Sequence, residues 1–173
     1  MRLRYSQEVN DLIKVAKHEA LASGSTLISP IHLVLALSHT EGHPCNSILA
    51  EYGFDPPLVR KTIRVGEPII ASDTTVLSIT CEAIIKNSTF EAFLHHQNLV
   101  HPIHVLLTMF RYHFSSDDCI KQLQLLGLNY DCIQTSFLGS AALLDGKYRR
   151  GLSRLFANRL LLEIGITRLF VWP

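Results

Sequence analysis

Nine histidines and four cysteines are the side chains best suited to chemistry in this 173-residue chain. Two groupings have ligand-like spacing: His39-x-x-x-His43-x-Cys45, and His95-His96 followed by His101 and His104. Zinc sites close with four protein ligands, or with three and a water, and neither grouping brings a further ligand at a defined spacing. Nucleophilic catalysis by Cys45, Cys81, Cys119 or Cys132 would need a base and an electropositive niche beside the thiol, and the flanking residues indicate neither. The four cysteines stand singly with no CxxC pair, and Cys81 and Cys132 fall at apolar-patterned positions, so they read as buried thiols and not as a disulfide framework. A metal- or thiol-dependent helical enzyme is thus the reading with least to rest on, and no catalytic residue, metal or cofactor is expected. Nucleotide chemistry fares no better: Gly146-Lys147 is followed by Tyr148 and lacks the glycine five positions earlier that a GxxxxGK[ST] phosphate loop requires.

His32 and His104 read differently, because they occupy equivalent places in a repeat. Ser29-Pro30-Ile31-His32-Leu33-Val34-Leu35-Ala36-Leu37 returns seventy-two positions later as His101-Pro102-Ile103-His104-Val105-Leu106-Leu107-Thr108-Met109. The correspondence spreads to Glu19-Ala20 with Glu91-Ala92, and after a two-residue shift to Leu49 with Leu123 and Gly53 with Gly127. Two copies of about sixty residues, separated by one small indel, make a duplicated unit. His32 and His104 are then structural anchors, each with a ring nitrogen free to satisfy a backbone group at a helix start. Leu35, Leu107, Gly53 and Gly127 are the other anchors.

The elements that place these anchors are helical. Ser6 caps a helix over about 7–23 with Val9, Leu12, Ile13, Ala16 and Ala20 at three- and four-residue spacing, and Gly24 stops it. Ser29 caps a second, with Pro30 at its first position and apolar residues all round, the mark of a buried helix. Pro44 opens a short third that ends at Gly53, and Asp55-Pro56 a fourth through Ile63. Residues 65–77 lose the period and carry Gly, Pro, Ser and Asp, as a linker does. The second copy follows the plan: Ser78 caps a helix to about His95, Pro102 opens the buried one, Ser116 or Asp117 starts the short one ending at Gly127, and Asn129 caps the last to about Leu138. No segment alternates long enough for a strand. The fold class is all-α, two tandem four-helix repeats related by a pseudo-twofold, with repeat one at about 5–64, linker 65–77 and repeat two at about 78–138.

Hydrophobic residues make up 47% of the chain, enough for one core without staples. No run approaches the roughly 20 apolar residues of a membrane span, and the N-terminus lacks a signal-peptide core, so a cytoplasmic location is expected and a membrane role is not. The net charge of +1 hides an asymmetry: residues 139–173 hold six Lys or Arg against two acids, leaving ten against thirteen in the body. The body has no basic footprint for nucleic acid. The tail carries Leu152, Leu155, Phe156 and Leu160 with Arg154 and Arg159, an amphipathic basic helix or remnant linker. It packs on the body or docks on a partner or acidic surface.

The pattern resembles the N-terminal Clp repeat domain of the Clp/Hsp100 unfoldases over residues 5–138. The resemblance is carried by Tyr5-Ser6, the Ala16/Glu19-Ala20/Gly24 spacing, His32–Leu37, Ile48-Leu49 with Gly53 and Asp55, and then His104–Met109, Leu123, Gly127 and Asn129. It implies an all-α module without catalytic activity that recruits substrates or adaptors to a Clp/Hsp100 ATP-dependent chaperone or protease. The implied partners are unfoldase or Clp protease subunits, adaptor proteins and unfolded peptides. A free-standing accessory subunit that docks on a Clp protease ring is the alternative. The expected partner-binding residues are Tyr5, Ser6 and Ser78 at the helix starts and Ile31 and Ile103 beside the inter-repeat groove. Family members that read phosphoarginine carry an acid directly before the anchor histidine, where this chain has Ile31 and Ile103. An apolar rim there suits an aliphatic or aromatic side chain instead.

Overall fold

Two helices that are apolar on every face set the architecture, because such helices need cover from all directions. They are α2 (Pro30–His39) and α6 (Pro102–Arg111). Leu33, Leu35 and Leu37 on the one, and Val105, Leu107 and Met109 on the other, have no solvent exposure. The computed structural model describes residues 4–39, 43–64, 66–69, 75–111, 114 and 117–141. Among them run β1 (Arg4–Tyr5), α1 (Gln7–Ala22), β2 (Leu27–Ile28), α2, α3 (Pro44–Glu51), α4 (Pro56–Thr62), β3 (Val76–Leu77), α5 (Ile79–Leu94), β4 (Leu99–Val100), α6, α7 (Asp118–Leu125) and α8 (Tyr130–Ala141). The expected helical tail at 139–173 falls outside the described residues except for the end of α8.

Each repeat is a pair of helices, α1 with α2 and α5 with α6, followed by two shorter ones, and the buried helices cross the repeat boundary. α2 touches α5, α6 and α7 as well as its own neighbours, and α6 touches α1 and α3. The two copies therefore share one core.

The helix starts expected from sequence are present, and their caps are visible. Ser6 and Ser78 accept from the N–H groups of Val9 and Cys81 at 3.4 and 3.2 Å. Asp55 and Asn129 accept from Leu58 and Cys132 at 3.3 and 2.9 Å. Asp117, not Ser116, caps α7, accepting from Cys119 at 3.0 Å. Gly53 and Gly127 close α3 and α7 with φ of +77° and +92°. At Gly24 two constraints meet: φ is +82°, and a Cβ there would lie 3.0 Å from backbone atoms of Gly66 and Glu67, where the linker passes over.

The strands are a feature that periodicity does not reveal. Arg4 and Tyr5 pair in parallel with Leu99 and Val100, and Leu27 and Ile28 with Val76 and Leu77. Each pair joins one repeat to the other, and each is the image of the other under the seventy-two-residue offset, as a pseudo-twofold requires. Two-residue strands are too short for any alternation to register.

Replacing Leu35 by Ala should lower stability by about 2–5 kcal/mol through lost transfer energy and a cavity. The readout is the urea midpoint at unchanged slope; a wild-type midpoint would contradict the core assignment.

Candidate functional site

An apolar groove lies where the start of α2, the loop and first turns of α4, and α7 meet. Pro30 fixes the first turn of α2 and leaves Ile31 half-buried on its side. Ile31, Phe54, Leu58, Val59, Leu123 and Leu126 line a cavity of about 160 Å³. It adjoins a second of about 370 Å³, to which Ile31, Val59, Cys119 and Gln122 also contribute. The outer cavity is lined by Asp117 and Asp118 from the N-terminus of α7. Asp117 caps its own helix, and Asp118 holds Lys121 at 3.1 Å. Leu58 and Leu126 stay 58% and 47% exposed, so apolar surface remains open to a ligand. The groove therefore has carboxylates after all. Asp55 lines the apolar cavity from the first repeat, Asp117 and Asp118 line the outer one from the second, and none stands directly before an anchor histidine.

The second expected rim residue is not available. Ile103 is 1% exposed, so the apolar rim exists on one side of the pseudo-twofold only. Tyr5, Ser6 and Ser78 also prove to be committed to the fold. The Tyr5 hydroxyl donates to the Ile85 carbonyl at 3.1 Å, with burial raising its pKa. Ser6 is buried, and the two serines cap α1 and α5 while their N–H groups donate to Val100 and Ile28 across the strand pairs.

The anchor histidines hold helix starts as expected. His32 Nδ1 accepts the Ser29 N–H at 3.0 Å, and His104 Nδ1 accepts the His101 N–H at 2.9 Å. An imidazole that accepts at Nδ1 carries its proton on Nε2, so neither Nε2 is a metal ligand. The other grouping dissolves too. His43 Nδ1 caps α3 by accepting from Cys45 N–H at 3.3 Å, and His39 lies against Glu19. Among the described residues no group of three His, Cys, Asp or Glu is placed to hold a metal ion. Burial raises the Cys81 and Cys119 thiols to about 12 and Cys45 still further, which keeps them protonated and poorly nucleophilic. Cys119 and Cys132 are only half-buried, contrary to the buried positions expected for the four cysteines.

What fixes the groove is a pair of residues that sequence reasoning passed over. Glu19 on α1 is 6% exposed, and its carboxylate accepts from Arg60 Nε at 3.0 Å and Nη2 at 3.1 Å and meets His39 Nε2 at 2.8 Å. Burial alone would raise its pKa; the Arg60 hydrogen bonds and charge, and then those of His39, outweigh burial and hold it below the ordinary value. One carboxylate thus ties α1, the end of α2 and α4 together. Glu91 repeats the arrangement on α5 with Arg111 Nη1 at 3.4 Å and the Tyr130 hydroxyl at 3.1 Å, from α6 and α8. There burial dominates and the pKa is raised, because Arg111 and Tyr130 offset only part of it. The available signal was an acid recurring on the apolar face of both first helices.

A profile of the family described as Clp repeat (R) N-terminal domain matches residues 4–122, more than half of the chain. No curated protein matches it. A solved structure from work described as preliminary structural investigations of a malarial protein secretion system is similar at 16% identity with a TM-score of 0.59, over 76% of this chain and 90% of that one. At that identity the likeness bears on the fold.

Arg60→Ala leaves Glu19 short of its main partner and should cost about 1–3 kcal/mol. Lys61→Ala, one residue on and exposed, should stay within about 0.5 kcal/mol. Equal urea midpoints for the two variants would contradict the role given to Glu19.

Proposed function

Since the chain belongs to the Clp repeat (R) N-terminal domain family, whose members are Clp-related interaction modules, we propose that it recruits unfolded segments or adaptors to a Clp/Hsp100 ATP-dependent chaperone or protease. The observation that carries this reading is the one-sided groove at Ile31. It offers an apolar floor for an aliphatic or aromatic side chain and two carboxylates, Asp117 and Asp118, for a neighbouring Lys or Arg. Apolar anchors with flanking charge are what extended or helical recognition segments present. The exposure of the charged rim makes its contribution screened and small, so the apolar contact supplies most of the affinity. No helix among the described residues is long and apolar enough to cross a membrane, which agrees with a module that works beside a ring and not in a bilayer. We propose the cytoplasm as its place of action.

The test is titration of a fluorescent peptide bearing a Leu or Phe next to an Arg, against the wild type and Ile31→Glu. A charge in the apolar floor should weaken binding at least tenfold, about 1.4 kcal/mol or more. Because Ile31 is only half-buried, the variant should keep most of the wild-type stability. Unchanged affinity in a folded Ile31→Glu protein would contradict the assignment of the groove. Ile103→Glu is not equivalent: it places a charge in the core and is expected to unfold the protein.

A further inference from the structure

The two repeats meet the same requirement with different chemistry at the interface of their first two helices. In the first, the proton on His32 Nε2 points at Ser23 Oγ, 3.1 Å away, and the Ser23 hydroxyl donates on to the Ala20 carbonyl at 2.8 Å. Seventy-two positions later the place of Ser23 is taken by His95. There the hydrogen-bond chain stops. His104 Nε2, both ring nitrogens of His95 and Glu91 Oε1 are buried and find no hydrogen-bond partner among the described residues. The side chains themselves are 0%, 3% and 0% exposed, and the two imidazole rings lie 5.9 Å apart between α5 and α6. Four orphaned polar atoms in one interface are a concentration of cost that the first repeat avoids.

We propose that the α5–α6 pairing is an acid-sensitive latch, closed while His95 and His104 are neutral and loosened when either is protonated, with no equivalent in the α1–α2 pairing. A proton on His104 would have to displace the His101 N–H from Nδ1, and the resulting cation would face His95 across a buried interface. The charged groups around the two rings do not rescue it. Arg111 on α6 and the neighbouring His96 disfavour a charge on His95, and His95 and His101, which leans on Glu8 of α1 at 3.1 Å, disfavour one on His104. Glu91, 3.9 Å from His95, already faces Arg111 and Tyr130, and its raised pKa means it gives up its charge early as the solution turns acid.

The sign follows from linkage. Burial first, then Arg111 and His96, lowers His95 to about 4; burial first, then His95 and His101, lowers His104 to about 3. The unfolded chain binds these protons near 6.5 and the folded one does not, so stability falls as pH drops from about 6.5 toward 4 and 3. Glu91 works in the opposite direction, since the folded form takes its proton first, but it is one group against two. In the first repeat His32 is also lowered by burial, with Glu19 pulling the other way, and its Nε2 proton has an acceptor. Opening of α5 from α6 would uncover Leu106, Leu107 and Met109, a second apolar surface that exists only in acid.

His95→Ser restores to the second repeat the hydroxyl that serves the first, and it supplies the test. Urea unfolding of wild type and variant is compared at pH 7.5 and 5.0, with hydrogen exchange by mass spectrometry at both. The variant is expected to be more stable than wild type at pH 7.5 and to lose at least tenfold less of its folding equilibrium constant on acidification. In the wild type, protection factors in 79–111 should fall at least tenfold more than those in 7–39, and in the variant the difference should vanish. The same pH dependence in the variant, equal losses in the two halves, or a variant that fails to fold would overturn the proposal.

Discussion

Among its residues α4 has no buried side chain, yet it forms one wall of the groove. What holds it is the Arg60 fork on the buried Glu19 carboxylate, a bidentate charge-assisted contact. A buried carboxylate would ordinarily lose its charge or unfold its surroundings. Here the Arg60 guanidinium, with the His39 ring hydrogen-bonded beside it, keeps it ionised, and the cost of burying it is converted into a fixed position for α4. If that contact is removed, Leu58 and Val59 lose their place opposite Leu123 and Leu126. The groove thus depends on a residue that does not line its apolar cavity.

Duplication explains the plan of the molecule, and divergence of the copies explains its use. The paired anchor histidines, the left-handed glycines and the exchanged strands obey the pseudo-twofold. The groove and the polar interior do not. Ile31 is half-buried beside an open cavity, whereas Ile103 is fully buried. Ser23 completes a hydrogen-bond chain that His95 interrupts. The first copy completes its buried hydrogen-bond chain, and the second carries the unsatisfied groups.

Much of the fold was legible in the sequence because it is written locally: caps at Ser6, Ser78, Asp55 and Asn129, prolines at first helical positions, and apolar runs too dense for a surface helix. The repeat added the long-range information that one local pattern lacks. The site was less legible. A half-buried and a fully buried isoleucine have similar neighbours in sequence, Pro before and His after, and only the tertiary packing separates Ile31 from Ile103. Tyr5, Ser6 and Ser78 looked exposed because helix starts usually are, but Ser6 is buried and the strand pairs take up the N–H groups of Ser6 and Ser78. Asp117 and Asp118 reach the groove from the other repeat, across eighty-six residues of chain from Ile31, which spacing within one copy could not show. The recurrence of Glu19 and Glu91 was visible; that each would recruit a cation from a different helix was not.

The most direct test of this account is local hydrogen exchange in Glu19→Gln. The neutral amide keeps the shape but not the charge that holds Arg60, so the amides of α4 should lose protection at least tenfold while those of α5 and α6 keep theirs. Unchanged protection in α4, or a uniform loss across the chain, would show that the carboxylate does not position the groove wall.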